Sequence, residues 1–102
     1  MTRHAQVFAA LGDDTRLRIV ARLCKDGPLS IVELTHGTDV SRQAVTKHLH
    51  ALSNAGLVKS ERSGRERIWR LQTKRLEHAR IYLNQISQQW DDAIARLRSF
   101  VE

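Results

Sequence analysis

The sequence predicts a mainly α-helical fold with one small β-hairpin, and three observations carry that prediction. Apolar residues recur at steps of three and four through most of the 102 residues, in segments separated by the isolated glycines Gly12, Gly27, Gly37, Gly56 and Gly64. After Gly56 the period changes to that of two short extended segments, Leu57 to Glu61 and Arg67 to Leu71, joined by Arg62-Ser63-Gly64-Arg65. From about Thr73 to Val101 helical spacing returns and is sustained.

The first helix runs from about Arg3 to Leu11, with Val7, Phe8 and Leu11 on its apolar side. Asp13 is placed to cap the second helix, where a carboxylate accepts from an orphan N–H and sits at the positive end of the helix dipole. Leu17, Val20, Ala21 and Cys24 follow at helical spacing, widened by Ile19 and Leu23, and Gly27-Pro28 ends the helix. Cys24, the single cysteine, is expected to be a small core residue, since burial is the commoner fate of a free thiol. Ser30-Ile31-Val32-Glu33 is an S-x-x-E capping box, in which serine and glutamate each satisfy a donor at the start of the third helix. Leu34 continues its apolar face, and Gly37 ends it.

The fourth helix has the clearest boundaries. Ser41 is a good N-cap, Val40 before it can staple onto Val45, and Gly56 lies just past the last turn. Val45, Leu49 and Leu52 form one stripe, flanked by Ala44 and His48. The other side presents Gln43, Thr46, Lys47, His50 and Asn54 with Arg42 at its edge, and carries no carboxylate. Such a face suits the major groove, where base edges offer donors and acceptors between rows of phosphates. Two short helices joined by a tight turn make a helix-turn-helix at 30–55, and the hairpin at 57–71 directly behind it is a wing. The hairpin tip is basic, with Arg62, Arg65 and Arg67 placed to meet phosphates or a minor groove. Trp69 is expected to pack between hairpin and helices.

In the last helix, 73–101, Leu76, Ala79, Leu83, Ile86, Trp90, Ala93, Leu97 and Val101 alternate in steps close to an a/d seam. About 28 residues at 1.5 Å rise span roughly 42 Å, more than so small a core needs to cover. The uncovered part of the seam implies a second copy of the chain, hence a homodimer. The whole is predicted to be one winged helix-turn-helix domain over residues 1–102, in the order α-α-α-α-β-β-α.

Charge distribution supports a nucleic-acid partner. Of the net +6, the span from Arg42 to Arg80 carries +7 and the rest of the chain −1, so the excess lies on and after the fourth helix. Apolar runs are too short to cross a membrane, and MTRHAQVF lacks the apolar region and cleavage site of a signal peptide. A cytoplasmic location is expected. No glycine-rich phosphate loop and no grouping of nucleophile, base and metal ligands stands out, so no enzymatic activity and no cofactor are predicted.

Taken together, the chain resembles the ArsR/SmtB family of winged-helix repressors. The resemblance is carried by Leu11-Gly12-Asp13-Asp14-Thr15-Arg16-Leu17-Arg18-Ile19, by Val40-Ser41-Arg42-Gln43-Ala44-Val45-Thr46-Lys47-His48-Leu49, by Ala55-Gly56-Leu57-Val58 and by the wing Arg62-Ser63-Gly64-Arg65. It implies a dimeric repressor on a palindromic operator, released by a signal. Recognition residues would lie early on the fourth helix, at Arg42, Gln43, Thr46 and Lys47, with Ser41, His50 and the wing arginines beside them. Dimers would pair through the first and last helices, which here offer Val7 with Leu76, Leu83, Ile86, Trp90 and Leu97. The sensor departs from the pattern. Ser30 and Val32 stand where metal-sensing members place a Cys-x-Cys pair, and the last helix offers one histidine, His78, with no His-x-x-Glu arrangement. No metal site is therefore predicted, and the effector is left open. Two alternatives stay beside the repressor reading: a winged-helix module that docks an acidic protein partner, and a metal-responsive repressor using a site of another kind.

Overall fold

The computed structural model describes residues 2–101. Its elements, in chain order, are α1 (Arg3–Leu11), α2 (Asp14–Asp26), β1 (Leu29–Ser30), α3 (Ile31–Thr35), α4 (Arg42–Asn54), β2 (Val58–Ser63), β3 (Glu66–Leu71) and α5 (Thr73–Val101). The four shorter helices and a small antiparallel sheet enclose the core, and α5 extends from it, giving overall dimensions of 65 × 26 × 26 Å.

Local chemistry sets the helix starts. Asp13 accepts from the Arg16 N–H at 3.0 Å, Ser41 from the Ala44 N–H at 3.1 Å, and Thr2 caps α1 through the Ala5 N–H at 3.2 Å. The capping box is complete: Ser30 Oγ accepts from the Glu33 N–H, and a Glu33 carboxylate oxygen accepts from the Ser30 N–H. Caps of this kind are each worth about 1 kcal/mol. The core they surround is aliphatic, with Leu34, Leu49, Leu52, Leu57, Val7 and Val45 fully enclosed.

The sheet has three strands, in the order β1-β3-β2. β1 is an addition to the predicted order: Leu29 and Ser30 pair with Trp69 and Ile68. Two residues leave no period to detect, and the strand exists only because β3 comes back alongside it. The hairpin is longer and its turn tighter than the four-residue link expected, since Ser63 and Glu66 still pair and only Gly64 and Arg65 make the turn. Gly64 carries the positive φ (+63°) that so short a connection requires.

Three placements correct the sequence reading. On α2 the buried residues are Ile19, Val20 and Leu23, while Leu17 is 51% exposed and Cys24 is exposed. The expected inward stripe is Leu17, Val20, Ala21 and Cys24, but Leu17, Ala21 and Cys24 are exposed, because six apolar residues nearly encircle the helix and tertiary packing turned it by about one residue. Cys24 is thus a surface thiol rather than part of the core. Val7, expected at a dimer surface, is only 1% exposed and lies in the core of its own chain, and Leu76 also packs against that core.

Candidate nucleic-acid interface

α4 is fixed from several directions. Val45, Leu49 and Leu52 anchor its inner face at zero exposure. Near its start, Arg22 of α2 donates through Nη1 to the carbonyls of Glu33 (2.7 Å) and His36 (3.1 Å), satisfying the end of α3 and holding the turn that leads into α4. At its end, Arg75 of α5 donates to the Ala55 carbonyl at 2.8 Å. The Arg75 side chain lies over Gly56, whose φ is +78°, and an added Cβ there would meet it at 2.7 Å. His48 Nδ1 stands 3.7 Å from the Asp13 carboxylate that caps α2. The Arg16 N–H bond first, and His48 after it, hold the Asp13 pKa below its ordinary value. Neither Arg22 nor Arg75 stands out in the sequence, because their partners lie 11 to 20 residues away and carbonyls leave no residue signature.

With its inner face fixed, α4 turns the expected set outward. Ser41, Arg42, Gln43, Lys47 and His50 are exposed, and Thr46 is half-buried. The Thr46 hydroxyl donates to the Arg42 carbonyl at 2.9 Å, so its proton is spent within the helix while its oxygen can still accept.

The wing continues this surface. Strand alternation puts Trp69, Ser60, Arg62 and Arg67 on one face of the hairpin, and Lys59, Glu61, Ile68 and Arg70 on the other. Trp69 is buried, and its ring lies 6.1 Å from that of His50, which joins wing to α4. Further out on the same face Arg62 and Arg67 stand directly opposite each other. Arg67 donates to Ser60 Oγ at 2.9 Å, and Arg62 makes only a long bond (3.4 Å) to the Gly64 carbonyl. Like charges directly opposed across two strands are destabilising unless something anionic lies between or above them. On the other face Arg70 is paired with Glu61, and on α5 Arg80 is paired with Glu77. On α4 and the wing, Arg42, Lys47, Arg62, Arg65 and Arg67 have no carboxylate partner among the described residues. The described residues contain no group of three or more His, Cys, Asp or Glu placed to hold a metal ion, and no helix long and apolar enough to cross a membrane.

A helix-turn-helix followed by a hairpin whose basic face adjoins the second helix defines the winged helix-turn-helix class. A family model described as a helix-turn-helix domain matches residues 11–61. The arsenic resistance transcriptional regulator ArsR1 of Pseudomonas putida is 37% identical over 65 residues, covering 64% of this chain and 51% of that protein. An uncharacterised helix-turn-helix regulator of Bacillus subtilis, YuzN, is 41% identical over 68 residues, covering 61% of this chain and 74% of that one. The chain thus spans between about half and three quarters of these relatives' lengths. An ArsR-like transcriptional regulator from Rhodococcus sp. RHA1 has the same fold, with a TM-score of 0.80 at 38% identity, over 98% of this chain and 93% of that one. The chain belongs to the ArsR family of winged helix-turn-helix transcriptional regulators.

Proposed function

We propose that this protein is a sequence-specific DNA-binding transcriptional regulator, acting in the cytoplasm as a homodimeric repressor on a palindromic operator and having no enzymatic role. The observation that carries the reading is the continuous basic face formed by the outer side of α4 and the inner face of the wing, with its facing arginines, Arg62 and Arg67, lacking any carboxylate between them. α4 enters a major groove. There Gln43 is suited to adenine and Arg42 or Lys47 to guanine, while the Ser41 hydroxyl and the Thr46 oxygen are in position for backbone contacts. Arg62, Arg65 and Arg67 grip phosphates beside it.

The pairing follows from α5. Leu83, Ile86, Trp90, Ile94, Leu97 and Val101 are exposed along one broad stripe of that helix, and Trp90 is 67% exposed. Such a stripe on a regular helix is covered most simply by the same stripe of a second copy, which places two α4 helices in successive major grooves about 34 Å apart. Val7 and Leu76 contribute beneath this surface, by supporting α1 and the start of α5, rather than on it.

Selection of bound duplexes from a random pool tests the reading. Recovery of a two-fold symmetric sequence supports it, and absence of any duplex binding at low salt favours a protein partner instead.

A further inference from the structure

Between α1 and the first half of α5 lies a cavity of about 180 Å³, lined by Arg3, His4, Val7, Arg75 and His78. Four of these five side chains are arginine or histidine, and no described carboxylate lines the space. Glu77, next to His78 in sequence, is already paired with Arg80. His4 is stacked flat on Tyr82, with ring centroids 4.4 Å apart and planes 7° apart, so its ring is held in place without a polar partner. The same two histidines line an adjoining, more open cleft of about 290 Å³, whose other walls are Ile81, Tyr82 and Gln85.

We propose that these neighbouring cavities bind a small organic anion. Its carboxylate or phosphate group sits among Arg3, His4, Arg75 and His78, and its flat apolar body lies along Tyr82 and Ile81. Cationic side chains gathered without an acid are stabilised by an oxyanion, and guanidinium forks suit its geometry. The site also lies beside the exposed stripe rather than on it, since Tyr82 and Gln85 are each one residue, about 100°, round α5 from Leu83 and Ile86.

Arg75 gives the site a route to α4. One guanidinium nitrogen donates to the Ala55 carbonyl at the end of that helix, while the same side chain lines the cavity. An anion that draws Arg75 inward competes with that bond, and so loosens the end of the helix that meets DNA. This consequence rests on the DNA-binding reading, whereas the site itself does not.

Benzoate serves as the carboxylate probe and inorganic phosphate as the bare oxyanion, titrated into the full chain at constant ionic strength. The readout is the histidine ring proton resonances. The site predicts saturable, parallel shifts of His4 and His78 with His36 and His50 unmoved, and tighter binding of benzoate than of acetate. The double variant Arg3→Ala/His78→Gln changes two exposed residues and should weaken binding about tenfold for each cationic group removed. Shifts that grow linearly, spread equally over all histidines or persist unchanged in the double variant overturn the site. In a second arm, saturating benzoate should lower affinity for a selected duplex in the wild type and leave the double variant unaffected. Equal affinity with and without benzoate overturns the coupling through Arg75, and failure to bind duplex when benzoate is absent contradicts the DNA-binding reading alone.

Discussion

α4 and α5 solve opposite problems with the same kind of element. α4 has 13 residues and is finished within one chain, with three side chains at zero exposure, a serine cap at its start and an arginine from α5 at its end. α5 has 29 residues, of which Ala79 alone is buried, and beyond Tyr82 it presents Leu83, Ile86, Trp90, Ile94, Leu97 and Phe100 to solvent. On the proposed function, rigidity where bases would be met and an unfinished apolar face where a second copy would dock are the two requirements of a paired reader. If α5 pairs with a second copy as proposed, fold stability and assembly rest on separate residues, and substitutions should separate them.

The strongest response is expected at the finished helix. Leu49→Ala should cost roughly 2–5 kcal/mol of stability, through lost burial and the cavity left behind, measured by denaturant unfolding. Ile86→Glu with Leu97→Glu should leave the monomer's thermal transition nearly unchanged while sedimentation shows the dimer lost. Weaker dimerisation should then lower operator affinity on the order of a hundredfold, because the second half-site no longer benefits from the first. If those glutamates instead unfold the chain, α5 belongs to the core and the contrast fails.

Gly56→Ala should cost roughly 1–3 kcal/mol, because the residue adopts a positive φ and the new Cβ meets Arg75. Thermal melts of Gly56→Ala with and without Arg75→Ala divide that cost between backbone strain and steric clash. Arg65→Ala should leave stability alone, weaken binding to all duplexes similarly, and reduce the slope of log affinity against log salt by about 0.9. An unchanged slope would remove the wing tip from the interface.

Acid sensitivity should be the weakest of these effects. The N–H bonds to Asp13 and Glu33 lower both pKa values from the ordinary 3.8 and 4.5. A carboxylate with a depressed folded-state pKa contributes stability that is fully present above its unfolded pKa and is lost as pH falls through the folded one. Circular dichroism should therefore show α2 and α3 weakening only below about pH 4.5, and Asp13→Asn should flatten part of that decline.

Elements with dense local signals were legible in the sequence. Ser30 with Glu33, Ser41 with Gly56, and the two-residue period after Gly56 place α3, α4 and the hairpin within a residue or two, and the polar face of α4 could be read from spacing alone. Features set by distant partners were not legible. β1 needs Trp69 and Ile68 to exist at all, Arg22 and Arg75 act on carbonyls, and the apolar residues of α2 could not indicate which side turns inward. Spacing likewise could not show that the seam of the last helix begins inside its own core at Leu76 and Ala79 and becomes free surface only beyond them.

Whether α4 reads DNA as one of a pair is decided by changing the spacing of half-sites in a selected duplex. Inserting about half a helical turn, roughly 5 bp, moves one half-site to the opposite face of the duplex without altering either sequence. If two α4 helices are held in fixed geometry by α5, affinity should fall on the order of a hundredfold, to that of a single half-site. Equal affinity for the original and the lengthened duplex would contradict it.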